Sequence, residues 1–251
     1  MARRAMPERV ETDRADVALV KRGLFESRAK ARAAIEAGLV TADGEVVRKP
    51  SGTIPAGAVV EARAAHPWVS RGGVKLAAAL EAFGIDPAGR DCLDIGSSTG
   101  GFTQVLLEGG AARVTAVDVG TGQMHASLRG DPRLALHETI DARALTPEML
   151  GEPPSLIVID VSFIPLGLVL PHVLGLAGEP ADLVALVKPQ FEVGRKHAPK
   201  GIVRDASART AACESVRRTI EGLGWTVTGL IESPIHGGDG NIEYLIGARL
   251  G

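Results

Sequence analysis

The chain has 251 residues, 45% hydrophobic and 23% charged, with 31 glycines and only 3% aromatics. Such a composition supplies an aliphatic core and many tight turns, excludes extensive disorder, and leaves room for one large domain or two unequal ones. The net charge of −2 hides an asymmetry: residues 1–75 hold 14 Lys/Arg against 9 Asp/Glu, and the remainder hold 14 against 21, so a basic N-terminal part suited to a polyanion precedes an acidic body.

The opening residues, MARRAMPERVETDRAD, lack the apolar stretch of a signal peptide, and Cys92 and Cys213 form neither a CxxC pair nor a metal-ligand spacing. The expectation is a cytoplasmic protein with ordinary buried thiols and no metal.

From Arg14 the pattern predicts a short helix with Val17, Leu19, Val20 and Leu24 on its apolar face. A second helix follows, capped by Ser27, with Ala31, Ala34 and Ile35 inward and Gly38 as its stop. Two β-prone runs flank the hairpin signal Asp43-Gly44, and a further strand, Val59–Ala62, follows the turn at Pro55–Gly57. Residues 12–63 thus form a small α+β unit that carries Lys21, Arg22, Arg28, Lys30 and Arg32, with Arg14 at its start. It resembles the RNA-binding module named after ribosomal small-subunit protein four. That resemblance implies phosphate contacts from the basic helix positions, Arg28 and Lys30 above all, which give affinity and orientation rather than base reading.

Pro67 and Gly72-Gly73 break regular structure, so residues 64–74 read as an interdomain linker, with Arg71 offered to RNA. The run KLAAALEAFG then predicts an amphipathic helix ending at Gly84, with Lys75 in its first turn. A lysine there opposes the helix dipole by about 0.3–1 kcal/mol, a weak hint of function.

The second domain is read as residues 75–251. The strand CLDI runs into Gly96-Ser97-Ser98-Thr99-Gly100-Gly101 and the helix FTQVLLEGG, the first half of a doubly wound nucleotide-binding unit. The dehydrogenase fingerprint GxGxxG is absent, because Ser98 stands at its second glycine. Asp94, two residues before the first glycine, and the closing pair of glycines resemble the S-adenosylmethionine motif of Rossmann-like methyltransferases. The cofactor candidates here are Asp94, Gly96, Ser98, Thr99, Gly100, Gly101 and Phe102. A second strand, Arg113–Val119, ends in Asp118, placed to accept from both ribose hydroxyls, with Val119 beside it. A third β-prone run ends in HETIDAR, where the resemblance implies Asp141, with Ala142, against the adenine amino group, although the family often carries an amide there.

Residues 156–177 are apolar enough to suggest a membrane span, but Asp160, Pro165, Pro171 and His172 interrupt them, so a buried strand followed by a helix fits better. The strands LIVID and DLVALVK deliver Asp160 and Lys188 to the same carboxyl edge, where sites in open α/β sheets gather. The segment PQFEVGRKHAPKGIVRD carries Arg195, Lys196, Lys200 and Arg204 and reads as an RNA-facing lid. The chain ends with a helix (Ala206–Leu223), a strand (Trp225–Ile231) and a last strand, IEYLIGARL, with Glu243. The fold expected is a Rossmann-like, doubly wound α/β sheet with an antiparallel last strand, behind a small α+β domain.

Lys75, Asp160, Lys188 and Glu243 together resemble the Lys-Asp-Lys-Glu tetrad of FtsJ-like ribose 2′-O-methyltransferases. With WVSRGGVKL, LDIGSSTGGF, AVDVG, IDVSFI, LVKPQFEVG and GNIEYL in order, nearly the whole chain is similar to the TlyA (haemolysin A-type) ribosomal RNA methyltransferase family. The resemblance implies S-adenosylmethionine as cofactor, ribosomal RNA or ribosomal subunits as partner, and 2′-O methylation of cytidine. Lys188 is then the base or the group that orients the hydroxyl, Asp160 orients both, and Lys75 and Glu243 complete the charge network. Two readings from other classes stay open on sequence alone: an RNA binder on a non-catalytic methyltransferase fold, and a membrane-active haemolysin.

Overall fold

The computed structural model describes residues 12–194, 198–237 and 240–251. Arg195 and Lys196, two of the expected RNA contacts, lie outside them. The chain divides into two compact units, Met1–Pro67 and Trp68–Gly251.

The first unit runs β1 (Thr12–Arg14), α1 (Ala15–Lys21), α2 (Arg28–Glu36), β2 (Val40–Ala42), β3 (Glu45–Val46), β4 (Thr53–Pro55) and β5 (Val60–Ala62). Ser27 caps α2 by accepting from the Lys30 amide at 3.3 Å. Asp43 and Gly44 both take positive φ, 52° and 81°, as a tight two-residue hairpin turn demands. Strand β2 is thereby paired with β3 on one side and with β5 on the other. A second ladder, β1 with β4, is too short to leave a periodic trace in the sequence. Leu19, Ala31, Ile35, Val40 and Ile54 form the core.

The second unit contains α3 (Gly72–Phe83), β6 (Asp91–Ile95), α4 (Gly101–Glu108), β7 (Arg113–Asp118), β8 (Leu134–Glu138), α5 (Pro147–Leu150), β9 (Leu156–Ile159), α6 (Leu170–Leu174), β10 (Ala181–Val187), α7 (Pro189–Glu192), α8 (Ala206–Gly222), β11 (Thr226–Glu232) and β12 (Tyr244–Leu250). Residues 68–74, read from the sequence as linker, belong to this unit. The Val69 amide donates to Gln104 Oε1 on α4 at 2.6 Å, and α3 already begins at Gly72.

The strand order is β11-β12-β10-β9-β6-β7-β8. Strands β6 to β10 are parallel, and β12 is inserted antiparallel between β10 and β11. Side-chain alternation divides each central strand between two cores. Leu156 and Val158 pack with Leu76, Leu80, Phe102 and Leu106 of α3 and α4, whereas Ile157 and Ile159 pack with Val173 of α6 and Val216 and Ile220 of α8. Every residue of β10 is buried, as befits a strand covered on both faces. The apolar stretch 156–177 resolves into β9, a 3₁₀ turn at Leu166–Leu168 and the five-residue α6. Among the described residues no helix is long and apolar enough to cross a membrane.

Strand β6 has β7 on one side and β9 on the other, so the chain winds away from it in opposite directions. That switch point opens a crevice at the carboxyl edge of the sheet.

Candidate active site

A cavity of about 490 Å³ fills the crevice, lined by Gly96, Ser98, Asp118, Val119, Gln123, Asp141, Ala142, Asp160 and neighbouring apolar side chains. Its size falls within the range of small-molecule sites. Gly96 adopts φ +82°, and a Cβ there would run into the Asp160 carbonyl. The residue type lets the turn after β6 close against the end of β9.

Asp118 is fixed by the turns it joins. Its Oδ2 accepts from the Ser98 amide at 2.8 Å and its Oδ1 from the Gly120 amide at 2.7 Å. The carboxylate is thereby held at the cavity wall with lone pairs left for a vicinal diol. Gln123, which sequence reasoning missed, also lines the cavity and accepts from Ser98 Oγ at 3.1 Å. Its own amide donates to Glu138 Oε1 at 3.1 Å. Backbone amides of residues 122–124, with Arg129 beside them, hold the Glu138 carboxyl below its usual range.

Other cofactor candidates fall differently. Asp141 lines the cavity, but Arg143 occupies both its oxygens: its amide and Nε donate to Oδ1 at 2.9 and 3.0 Å, and Nη2 donates to Oδ2 at 2.7 Å. The guanidinium holds the Asp141 carboxyl down to about 2. An adenine amino group there would share a carboxylate already bound. Thr99, Gly100, Gly101 and Phe102 are not among the lining residues; Gly100 and Gly101 are buried at the start of α4, and Phe102 packs into the core with Leu76.

Asp94 lies beneath the turn, fully buried. Its Oδ2 accepts from Thr103 Oγ1 at 2.6 Å, and among the described residues Oδ1 has no hydrogen-bond partner, as is also true of the buried Ser97 hydroxyl. Burial pushes the Asp94 carboxyl up to about 7, and Asp160 and Asp118 nearby add to the effect. Orphaned buried oxygens under a glycine turn suit a ligand that brings its own donors and positive charge.

The four residues of the expected tetrad gather at the same edge as two ion pairs. Lys188, just after β10, lies 2.6 Å from Asp160 Oδ1, just after β9. Glu243, immediately before β12 rather than on it, holds Lys75 of α3 at 2.5 Å. Both members of this second pair are buried, 7% exposed for Lys75 and 3% for Glu243. The β10–β12 register pairs Val187 with Tyr244 and so brings Lys188 opposite Glu243. Gly237 abuts Glu243 so closely that any side chain there would displace the carboxylate.

Sequence reasoning also missed Asn241, which is buried two residues before Glu243. It accepts from the Val203 amide at 3.0 Å and donates to the Gly201 carbonyl at 2.8 Å, tying the segment that carries Lys200 and Arg204 to the Glu243 turn. Arg209 of α8 donates to the Val203 and Arg204 carbonyls and to the Tyr244 hydroxyl. Lys200 and Arg204 are exposed, and Arg71 is half-buried at the start of α3.

In the first unit the expected RNA contacts separate by their partners. Arg22 donates to the carbonyls of Pro55, Ala56 and Ala58 and braces that turn. Arg14 and Arg28 both hold Asp16, whose side chain is wholly buried, and together they keep its carboxyl down to about 2. Lys21 pairs with Asp13 and Lys30 with Glu26. All of these cations except Arg22 and Lys30 remain exposed.

FtsJ-like methyltransferases match residues 68–250, and the S4 domain matches residues 13–60. The chain belongs to the FtsJ-like methyltransferase family. It is 48% identical over 99% of its length, and 91% of the relative's, to the 16S/23S rRNA (cytidine-2′-O)-methyltransferase TlyA of Mycobacterium tuberculosis. The 23S rRNA (cytidine-2′-O)-methyltransferase TlyA of Campylobacter jejuni is 43% identical over 70% of this chain and 69% of that one. The solved structure of a hemolysin-named protein from Streptococcus thermophilus superposes with a TM-score of 0.76 at 42% identity, covering 96% of this chain and 89% of that chain.

Proposed function

We propose that this FtsJ-like methyltransferase transfers a methyl group from S-adenosylmethionine to the ribose 2′-hydroxyl of a cytidine in ribosomal RNA. The observation that carries the reading is the convergence of two Lys–carboxylate pairs, Lys188–Asp160 and Lys75–Glu243, at the carboxyl edge beside the cavity. The nucleotide type and the ribosomal target follow the relatives that act on cytidine in 16S and 23S rRNA.

The residues fit the cofactor. Among the residues lining the cavity, Asp118 suits the ribose diol, Val119 and Ala142 the adenine faces, and Gly96 of the glycine turn the cationic amino acid end, with the orphaned Asp94 and Ser97 oxygens buried behind that turn. S-adenosylmethionine supplies an electrophilic methyl group on a cationic sulfur. The chain's own task is to orient and deprotonate a weak nucleophile. Lys188 is placed to meet the hydroxyl, Asp160 keeps the lysine at the cavity rim, and the buried Lys75–Glu243 pair sets the potential behind them. Alignment of the hydroxyl with the methyl carbon carries much of the acceleration. The S4-type unit, with Arg28 and its exposed neighbours, supplies phosphate affinity.

The test is transfer of labelled methyl to ribosomal subunits lacking the modification, with the product nucleotide identified by mass. A ribose-methylated cytidine that is lost in Lys188→Ala supports the reading; no transfer despite cofactor binding sinks it in favour of a non-catalytic RNA binder.

A further inference from the structure

Among the described residues Lys188 has two close polar partners, and they do different things. Its Nζ lies 2.6 Å from Asp160 Oδ1 as an ion pair, and among the described residues that oxygen has no hydrogen bond of regular geometry. The aligned hydrogen bond of Lys188 goes instead to Ser162 Oγ at 2.8 Å. Charge draws the nitrogen to its place but is non-directional; among the described residues the hydrogen bond to the Ser162 hydroxyl is the directional contact.

The backbone around Ser162 is built to hold that hydroxyl. The next residue, Phe163, adopts φ +67°, a left-handed conformation uncommon for a bulky L residue, with its side chain largely exposed. Its ring meets Phe191, three residues after Lys188, with centroids 5.1 Å apart. Glu192, one residue further, accepts from the Leu166 amide at 2.8 Å. The segment after Asp160 is therefore fastened to the segment after Lys188 at two points besides the Ser162–Lys188 bond itself. Ser162 and Asp160 both line the cavity.

We infer that Ser162 is a positioning residue for methyl transfer, its hydroxyl fixing the direction in which Lys188 meets the substrate hydroxyl. The inference rests on the reading of Lys188 given above. Once the ammonium has released one proton to solvent, Lys188 keeps two N–H bonds and one lone pair. With one N–H bound to Ser162 Oγ and the other turned toward the Asp160 carboxylate, the lone pair has one direction left. As the ribose oxygen bonds to the methyl carbon, the carbon–sulfur pair stays with sulfur and the hydroxyl proton passes to Lys188 Nζ. An amine that swivels spends less time in the orientation that can take the proton.

The experiment compares Ser162→Thr with Ser162→Val in the full chain, with Ser162→Ala as a second hydroxyl-free variant and Lys188→Ala as the reference. Threonine and valine have nearly the same shape, and Ser162 is exposed, so the pair isolates the hydroxyl. Methyl transfer to unmodified ribosomal subunits gives kcat, and calorimetry with S-adenosylmethionine gives cofactor affinity. Ser162→Thr is expected to stay within about 3-fold of wild type, while Ser162→Val and Ser162→Ala lose about 10- to 100-fold in kcat with cofactor affinity unchanged. Valine and threonine variants of equal kcat, with Lys188→Ala inactive, overturn the inference and leave the role of Lys188 standing. A loss of cofactor affinity that matches the loss of rate also overturns it, because Ser162 would then be part of the cofactor wall. Full activity in Lys188→Ala overturns both.

Discussion

Glu243 stands opposite Lys188 across the β10–β12 ladder, one residue beyond the Val187–Tyr244 pair, yet the two charges are spent on other partners: Lys188 on Asp160 and Glu243 on Lys75. The result is a line of alternating charges brought from a helix and three adjacent strand ends. The inner pair is buried, and in the outer pair Asp160 lines the cavity.

Removing one member of the inner pair leaves the other charge buried and uncompensated. Glu243→Gln is therefore expected to destabilise the second unit by about 3 kcal/mol and to slow methyl transfer. The double variant Lys75→Met/Glu243→Leu should recover most of that stability, because apolar side chains of similar volume replace a buried pair at little cost. It should not recover activity. Denaturant midpoints of the two variants, read beside methyl transfer, test this; a double variant as unstable as the single one contradicts it.

Asp118 is the carboxylate whose geometry is least ambiguous, since two backbone amides from different turns fix its oxygens. Asp118→Ala removes the proposed diol contact and both anchors. The expected outcome is a rise of about 10- to 100-fold in the dissociation constant for S-adenosylmethionine, the range for losing charge-assisted hydrogen bonds. Calorimetry on the chain without RNA reads it directly, and an unchanged constant removes Asp118 from the cofactor site.

Much of this arrangement is legible in the sequence, for a physical reason. Asp160 and Lys188 interrupt the ends of strands that are otherwise aliphatic, and parallel strands deliver their ends to one edge. Asp118 and the glycine turn show by the same logic. Ser162 and Asn241 do not show. The role of Ser162 depends on a left-handed residue after it, and that of Asn241 on amides and carbonyls about 40 residues away. The pairing of β1 with β4 is hidden because three-residue strands have no readable period. Arg22 and Arg28 look alike in sequence, and only the carbonyls that Arg22 meets tell them apart.

That difference has a measurable consequence for RNA binding. Arg28→Ala should weaken affinity for ribosomal RNA and reduce the slope of log affinity against log salt by about one, as expected for a lost phosphate contact. Arg22→Ala should lower the melting temperature of the chain and leave the slope unchanged. Filter binding across a salt series separates the two. Equal slopes for wild type and Arg28→Ala would show that Arg28 serves Asp16 alone.

Asp94 links the cofactor turn to stability through pH. Its carboxyl ionises near 3.8 in an unfolded chain and at about 7 when folded, chiefly because burial disfavours the anion. The folded state therefore holds a proton that the unfolded state has already released between those values, so this group's contribution to stability falls as pH rises from about 4 to 7 and is flat above. Asp16 and Asp141 act in the opposite sense, since their folded values of about 2 give stability that is present above 3.8 and lost as pH falls toward 2. Between pH 5 and 8 only the Asp94 contribution among these three should vary. Asp94→Asn keeps an oxygen for Thr103 and cannot ionise. Its stability relative to wild type, measured by denaturant unfolding without cofactor, should rise between pH 5 and pH 8, by an amount on the order of 1 kcal/mol or more. A cationic ligand placed over the turn favours the anion and should oppose this trend, so saturating S-adenosylmethionine is expected to stabilise wild type more at pH 8 than at pH 5. A stability difference between wild type and Asp94→Asn that stays constant over this range would mean that the buried carboxyl does not titrate there, and that some donor satisfies Asp94 Oδ1 before any cofactor arrives.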